Sequence, residues 1–190
     1  MAIGKRIGIG LAALGISLGG CAAVDGALGS IASARTASMD RQLDPAMMLS
    51  VMSQEHNAAR RAVGVPDMLV DAELTREAQA YADRLAASGR FEHSPQDERP
   101  DQGENLWRGT AGAYSFESMV RPWVDERRMY RHNVFPDVST TGRWQDVGHY
   151  TQIVWRDTTR FGCGFASGRG FDVLVCRYSP QGNVRGQYAY

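Results

Sequence analysis

Four side chains stand where the surrounding pattern does not account for them: His93 after Phe91-Glu92, Glu104 in Gly103-Glu104-Asn105-Leu106, Glu126 in a helical stripe that asks for an apolar residue, and His149 at the head of a half-apolar segment. Two imidazoles and two carboxylates are a chemically useful set. A neutral imidazole ligates a divalent cation or carries protons near neutral pH, and a carboxylate beside it can orient the ring or act as a base. The four lie far apart in the chain, so only the fold can bring them together. Each also has a plainer explanation. A histidine opening a strand is ordinarily just hydrogen-bonded, and Glu126 can pair with Arg127 or Arg131 at the edge of its stripe. His56, near the apolar face of a helix, and His132, in a polar stretch, are assigned to structure; Trp107, Trp123, Trp144 and Trp155 are assigned to core or cleft wall. Other chemistries have less support. The chain lacks His-Glu-x-x-His, and Ser94 has no strand-turn-helix setting that would expose it as a nucleophile.

The elements that must position these residues follow from periodicity. Met48, Val51, Met52, Glu55, Ala59 and Ala62 recur at helical spacing between Pro45 and Val63, and the pattern stops near Gly64 with Pro66 beyond. Asp71 can cap a second helix whose Leu74, Ala78, Tyr81, Ala82 and Leu85 form one stripe ending at Gly89. A third helix is expected from about Ser115, with Phe116, Met119, Trp123 and Tyr130 on the face that includes Glu126; Pro122 should kink it or mark its real first turn. After residue 148 the period changes to two. His149, Thr151, Ile153 and Trp155 alternate with Tyr150, Gln152 and Val154, which predicts a strand, and 161–166 and 171–178 predict two more. With Arg169-Gly170 as a two-residue turn, the last two strands place Cys163 directly opposite Cys176. A bridge there would close a short loop and stabilise by about 3 kcal/mol in the chain-entropy account. Helices followed by short strands predict an α+β domain with an antiparallel sheet.

The amino terminus reads as an address. Lys5 and Arg6 precede an uncharged apolar run from Ile7 to Leu18, which is shorter than the roughly 20 residues that span a bilayer. Leu18-Gly19-Gly20-Cys21 resembles the lipobox of bacterial lipoproteins, which implies removal of 1–20 and acylation of Cys21; plain secretion with Cys21 as a free thiol is the alternative. In an exported chain the remaining pair, Cys163 and Cys176, is expected to be oxidised. Residues 21–45 are small and polar and read as the acylated cysteine and a flexible tether, leaving 46–190 as one domain. The whole chain carries 21 basic and 21 acidic residues, and losing Lys5 and Arg6 leaves a net charge of −2. With no run of Lys or Arg, nucleic-acid binding is not expected, and any membrane attachment must come from the acyl chains. Ala22 after Cys21 resembles an outer-membrane sorting signal, so the expected location is the cell envelope, on the periplasmic side of an outer membrane where one exists and otherwise on the extracellular face.

Several strings then occur in a telling order: His56-Asn57 with Arg60, Ala80-Tyr81-Ala82, His93-Ser94, Gly103-Glu104-Asn105-Leu106, Trp123-Val124-Asp125-Glu126 with Tyr130, the run Gly148 to Trp155, Gly162-Cys163-Gly164, and the run Cys176 to Asn183. Together they resemble the CAP superfamily, also called the SCP domain, of cysteine-rich secretory proteins, insect antigen 5 and plant pathogenesis-related proteins. The resemblance implies a three-layer α-β-α sandwich with a broad cleft. It places the family's cleft tetrad on His93, Glu104, Glu126 and His149, with the two histidines able to hold one divalent cation, most often zinc, weakly. Met68-Leu69-Val70 departs from the family's usual Leu-x-Trp, and one cysteine pair stands where eukaryotic members commonly have three. Two functions follow as expectations. One is an exported binding module whose cleft takes a lipid or sterol, a glycan or a peptide. The other is a zinc-assisted hydrolase in which Glu104 or Glu126 serves as general base; two imidazoles fall short of the three protein ligands usual for catalytic zinc, which favours the first.

Overall fold

The computed structural model describes residues 44–190; the signal peptide, Cys21 and nearly all of the tether expected from the sequence lie outside the described residues. Helix α1 (Pro45–Arg61) begins at Asp44, whose carboxylate accepts from the Ala46 amide at 3.0 Å, and buries Met48, Val51, Met52 and Ala59. A two-residue strand β1 (Leu69–Val70) leads into α2 (Ala72–Ser88). Asp71 caps α2 through the amides of Glu73 and Leu74, and Gly89 ends it with φ 74°, a left-handed turn that glycine adopts without a Cβ penalty. Its predicted stripe, Leu74, Ala78, Tyr81, Ala82 and Leu85, is buried throughout.

Strand β2 (Gly103–Thr110) follows, then α3 (Phe116–Asp125), capped by Ser115. Pro122 lies inside α3, which ends three residues later and tightens into a 3-10 turn at Glu126–Arg128. Glu126 is thus held just past the helix, and Tyr130 falls outside it. The segment expected to be a strand from His149 is instead a short helix, α4 (Gly148–Ile153). Its β-branched residues, Thr151 and Ile153, favour a strand locally, but Tyr150, Thr151, Gln152 and Ile153 are all buried in succession, which a strand with one solvent face could not achieve. Strands β3 (Arg160–Gly168) and β4 (Phe171–Ser179) complete the domain.

The sheet order is β1-β3-β4-β2. The two longer pairings are antiparallel as expected, but β1 runs parallel to β3, so the sheet is mixed rather than wholly antiparallel. Helix α2 covers one face, packing on Leu106, Val173 and Val175. Helices α1, α3 and α4 cover the other, around Phe161, Cys163, Leu174, Cys176 and Tyr178. The result is the three-layer α-β-α arrangement. Cys163 pairs with Cys176 in the register read from the turn, and their sulfurs are bonded. In the Met68-Leu69-Val70 segment, Met68 enters the α1-side core while Leu69 and Val70 are exposed; the Asn57 side chain fixes Met68 by bonding both its N–H and its C=O.

Helix α2 lies against β3 with almost no side chain between them. A Cβ on Gly162 would stand 2.2 Å from the Thr75 nitrogen, and one on Gly164 would stand 2.2 Å from the Gln79 nitrogen. Both obstacles are backbone, so neither can swing aside. The Gln79 side chain closes the contact by bonding the N–H and C=O of Phe165 at 3.0 and 2.8 Å. Gly164→Ala should therefore cost about 3 kcal/mol through overpacking, seen as a fall of roughly 6–12 °C in thermal midpoint for a domain of this size. An unchanged midpoint would show that α2 does not lie this close.

Candidate functional site

Neighbouring side chains on a strand point to opposite faces, and β2 uses this at its first residues. Glu104 turns toward the α2 side and Asn105 toward the α1 side. Between them they position both histidines.

The Glu104 side chain is buried and surrounded by donors. Its Oε1 accepts from His93 Nδ1 at 2.8 Å and from the Ser94 amide at 3.0 Å; its Oε2 accepts from the Ser94 hydroxyl at 2.9 Å. Arg177, directly across the β2/β4 ladder, brings its Nε to 3.0 Å of Oε2 as a buried ion pair, without hydrogen-bond alignment. Its terminal nitrogens bond Ser94 Oγ and Gln102 Oε1. Burial by itself would raise the Glu104 carboxyl, but the His93 hydrogen bond, the Arg177 charge and the Ser94 donors outweigh it and hold the group below the ordinary carboxylate value. A carboxylate held ionised accepts only, so His93 must donate from Nδ1, which leaves Nε2 as the ring's one lone-pair nitrogen.

His149 is arranged in the same way by a different element. Glu126 Oε1 accepts from His149 Nδ1 at 2.5 Å, while Oε2 accepts the amides of His149 and Tyr150 at 2.9 and 3.0 Å. One carboxylate both caps the first turn of α4 and orients the imidazole. The Trp123 indole stacks on that imidazole, with centroids 5.7 Å apart and planes 16° apart. Asn105 supplies a further hold, donating to the His149 carbonyl at 3.2 Å and to the Tyr178 hydroxyl at 3.1 Å. Tyr178 is thereby free to donate to His56 Nε2, 2.7 Å away. His56 is fully buried, and burial pushes its imidazole down to about 4, so it stays neutral and structural.

The far end of α4 is held by Arg60. This guanidinium is buried, has no carboxylate partner among the described residues and donates instead to the carbonyls of Pro66, Ile153, Trp155 and Thr158 at 2.6–2.8 Å. Gln152 anchors α4 sideways: its Oε1 accepts the Gly182 amide at 2.9 Å, and a Cβ on Gly103 would stand 1.9 Å from that oxygen. Asn183 closes the last gap, accepting from Thr151 Oγ1 and donating to the Gly148 carbonyl.

His93, Glu104 and His149 line one cleft of about 510 Å³, and Glu126 stands behind His149. The four residues singled out in the sequence therefore meet as two His–Glu pairs on one cleft. Among the described residues they do not form a cage, since no three His, Cys, Asp or Glu side chains are grouped to hold a metal. What the pairs offer is two imidazoles, each with a carboxylate on Nδ1 and its Nε2 unused. This is the tautomer and the support that metal-binding histidines normally have. Both carboxylates are committed to protein donors, which makes each an orienting group. The residues that sequence patterns left without a role are Ser94, Arg177, Asn105, Arg60 and Gln152. The signal for Arg177 was its place across from Glu104, visible only once Gly103–Thr110 is read as a strand.

The model of the cysteine-rich secretory protein family matches residues 54–178. Pathogenesis-related protein 1A of Nicotiana tabacum is 39% identical over 136 residues, 71% of this chain and 76% of the relative. Pathogenesis-related leaf protein 4 of Solanum lycopersicum is 39% identical over 71% of this chain and 79% of its own length. Among solved structures, NaASP2 with Zn²⁺ superposes with a TM-score of 0.62 at 22% identity, over 74% of this chain and 83% of that one. An outer surface protein of Borrelia burgdorferi shares the fold with a TM-score of 0.51 at 13% identity, over 73% and 96% of the two chains.

A carboxyl held below its unfolded value contributes stability above that value and loses it as pH falls through the folded one. For Glu104 the loss should begin below about pH 4.5. Glu104→Gln should lower the thermal midpoint at pH 7, because Arg177 is left buried without its partner, and should flatten the midpoint's decline in acid. A variant with the full wild-type acid dependence would remove Glu104 from this role.

Proposed function

The chain belongs to the cysteine-rich secretory protein family, and on that footing we propose that it is an exported binding module, tethered to the cell envelope through acylated Cys21, whose His93/His149 cleft holds a divalent cation and a ligand. The observation that carries this reading is the pairing of each imidazole with its own buried or half-buried carboxylate, which leaves two oriented Nε2 lone pairs on one cleft. Zinc suits imidazole nitrogen, and NaASP2, which shares the fold, has been crystallised with Zn²⁺. When bound, the cation would supply a positive charge and open coordination positions to a ligand; His93 and His149 would hold it, and Glu104 and Glu126 would fix their rings.

Two protein ligands make such a site weak, with water filling the rest of the shell. The same carboxylates weigh against a zinc-assisted hydrolase. A general base must reach a water with a free lone pair, whereas Glu104 takes three hydrogen bonds and an ion pair and Glu126 takes three hydrogen bonds. Attachment to the membrane rests on Leu18-Gly19-Gly20-Cys21, since the mature chain has no cationic surplus to hold anionic lipid.

Calorimetric titration with zinc of protein lacking residues 1–21 tests the cleft. The expected result is one zinc per chain, lost on adding chelator, with His93→Ala and His149→Ala each weakening affinity about tenfold or more, near 1.4 kcal/mol. Glu126→Gln should weaken it by roughly ten- to a hundredfold through the ring it orients. Zinc binding untouched by both histidine substitutions would overturn the assignment.

A further inference from the structure

The walls of the cleft are more informative about its ligand than the histidines are. Among the described residues, Trp144 is the one aromatic side chain besides the imidazoles that lines it. Its indole lies so close over Gly148 that a Cβ there would meet the ring at 3.1 Å, and Phe135 braces it edge-on at 5.2 Å between centroids. The ring is thus a fixed platform at the first turn of α4. The other lining side chains are polar, and six of them carry amides: Gln96, Asn105, Gln145, Gln152, Gln181 and Asn183.

These amides divide into two groups. Asn105, Gln152 and Asn183 are committed to holding α4, Tyr178 and the chain around Gly182. Gln145 is exposed and makes no hydrogen bond among the described residues, while Gln96 donates to the Arg99 carbonyl at 3.1 Å and makes a long 3.4 Å contact with Gln181. A primary amide offers two donors and two acceptor positions, so these three present many more hydrogen-bonding sites than the protein uses. Of the fixed charges on the lining, Glu104 is paired with Arg177, and Arg99 is a single cation that donates to the carbonyls of Ser94 and Gln102.

That chemistry selects among the ligand classes. A lipid tail or sterol needs a continuous apolar wall, and one indole does not supply it. An extended peptide would seat its side chains in apolar pockets, which this lining lacks. A polyanion would find one cation, Arg99, already turned toward two backbone carbonyls, and a polyanion needs several. A neutral sugar suits it better, laying its C–H face on Trp144 and its hydroxyls among amides that both donate and accept. An acetamido substituent adds a matched partner, since its N–H and C=O can pair with the C=O and N–H of one side-chain amide. We infer that the cleft takes a neutral oligosaccharide of N-acetylated amino sugars, with Trp144 as the stacking platform and Gln145 as an amide partner. The inference rests on the binding-module reading and names the ligand class for it.

The test titrates protein lacking residues 1–21 with the β-1,4-linked tetramer of N-acetylglucosamine and with cellotetraose, the matching glucose tetramer without acetamido groups, following tryptophan fluorescence and heat. Saturable binding of the acetylated tetramer, about tenfold or more tighter than cellotetraose, is expected, with Trp144→Ala abolishing it and exposed Gln145→Ala weakening it about fivefold. Equal affinity for the two tetramers, or affinity unchanged in both variants, would overturn the inference. Phosphatidylcholine vesicles bound in place of sugar would also overturn it. A parallel zinc titration separates the two levels: zinc uptake without sugar binding sinks the ligand class and leaves the binding module standing, whereas loss of both sinks both.

Discussion

A helix of six residues cannot sustain itself, because its end groups outnumber its internal hydrogen bonds, yet α4 carries His149 into the cleft. The site depends on how that helix is held. Glu126 receives the amides at its start, and Arg60 donates to the carbonyls at its end. The charges oppose the two poles of the helix, negative at the amino end and positive at the carboxyl end, so each interaction is also favourable to the helix dipole. Because the carboxylate that caps α4 also takes the imidazole proton of His149 as a hydrogen bond, building the helix and aiming the ring are one event.

The other histidine needs no helix. His93 lies in the chain between α2 and β2, more than half exposed, and its fixed point is Glu104 on the sheet. The sheet links the two halves, since Glu104 and Asn105 are adjacent and reach opposite faces, one toward His93 and one toward the backbone of His149. A single turn of α1 finishes the arrangement from below: His56 bonds Tyr178, Asn57 bonds Met68, and Arg60 bonds the end of α4. Polar side chains buried at that density are fully useful only when each finds its partner, which is why this part of the core specifies one geometry so closely. Helix α2 supports the opposite face through a close backbone-to-backbone contact made possible by Gly162 and Gly164.

Much of this was legible from residues alone, for identifiable reasons. The α2 stripe and its Asp71 and Gly89 signals are local, and local signals survive folding. The Cys163–Cys176 register followed from one tight turn. The four tetrad residues were visible because they break the patterns around them. The failures lie where long-range contacts override local preference. Gly103–Thr110 did not read as a strand, because Glu104 and Asn105 are buried polar residues whose partners, Arg177 and Tyr178, are some 73 positions away. The α4 segment read as a strand because His149, Thr151, Ile153 and Trp155 alternate with Tyr150, Gln152 and Val154, while the groups that make it a helix, Glu126 and Arg60, belong to other elements. Arg60 offered no sign of its role at all. A buried guanidinium serving four carbonyls cannot be told in a sequence from one on a surface.

The protons of two rings decide whether the cleft is built to bind. If Glu104 and Glu126 hold His93 and His149 as described, both neutral imidazoles carry hydrogen on Nδ1 and leave Nε2 bare. Long-range nitrogen–proton correlation NMR on ¹⁵N-histidine protein, metal-free and above neutral pH, reads this directly. The expected result is the Nδ1–H tautomer for both residues, with zinc shifting the Nε2 resonance of each. Nε2–H tautomers, or averaging between the two forms, would mean that the carboxylates do not orient the rings and that the cleft is not built for a ligand on those nitrogens.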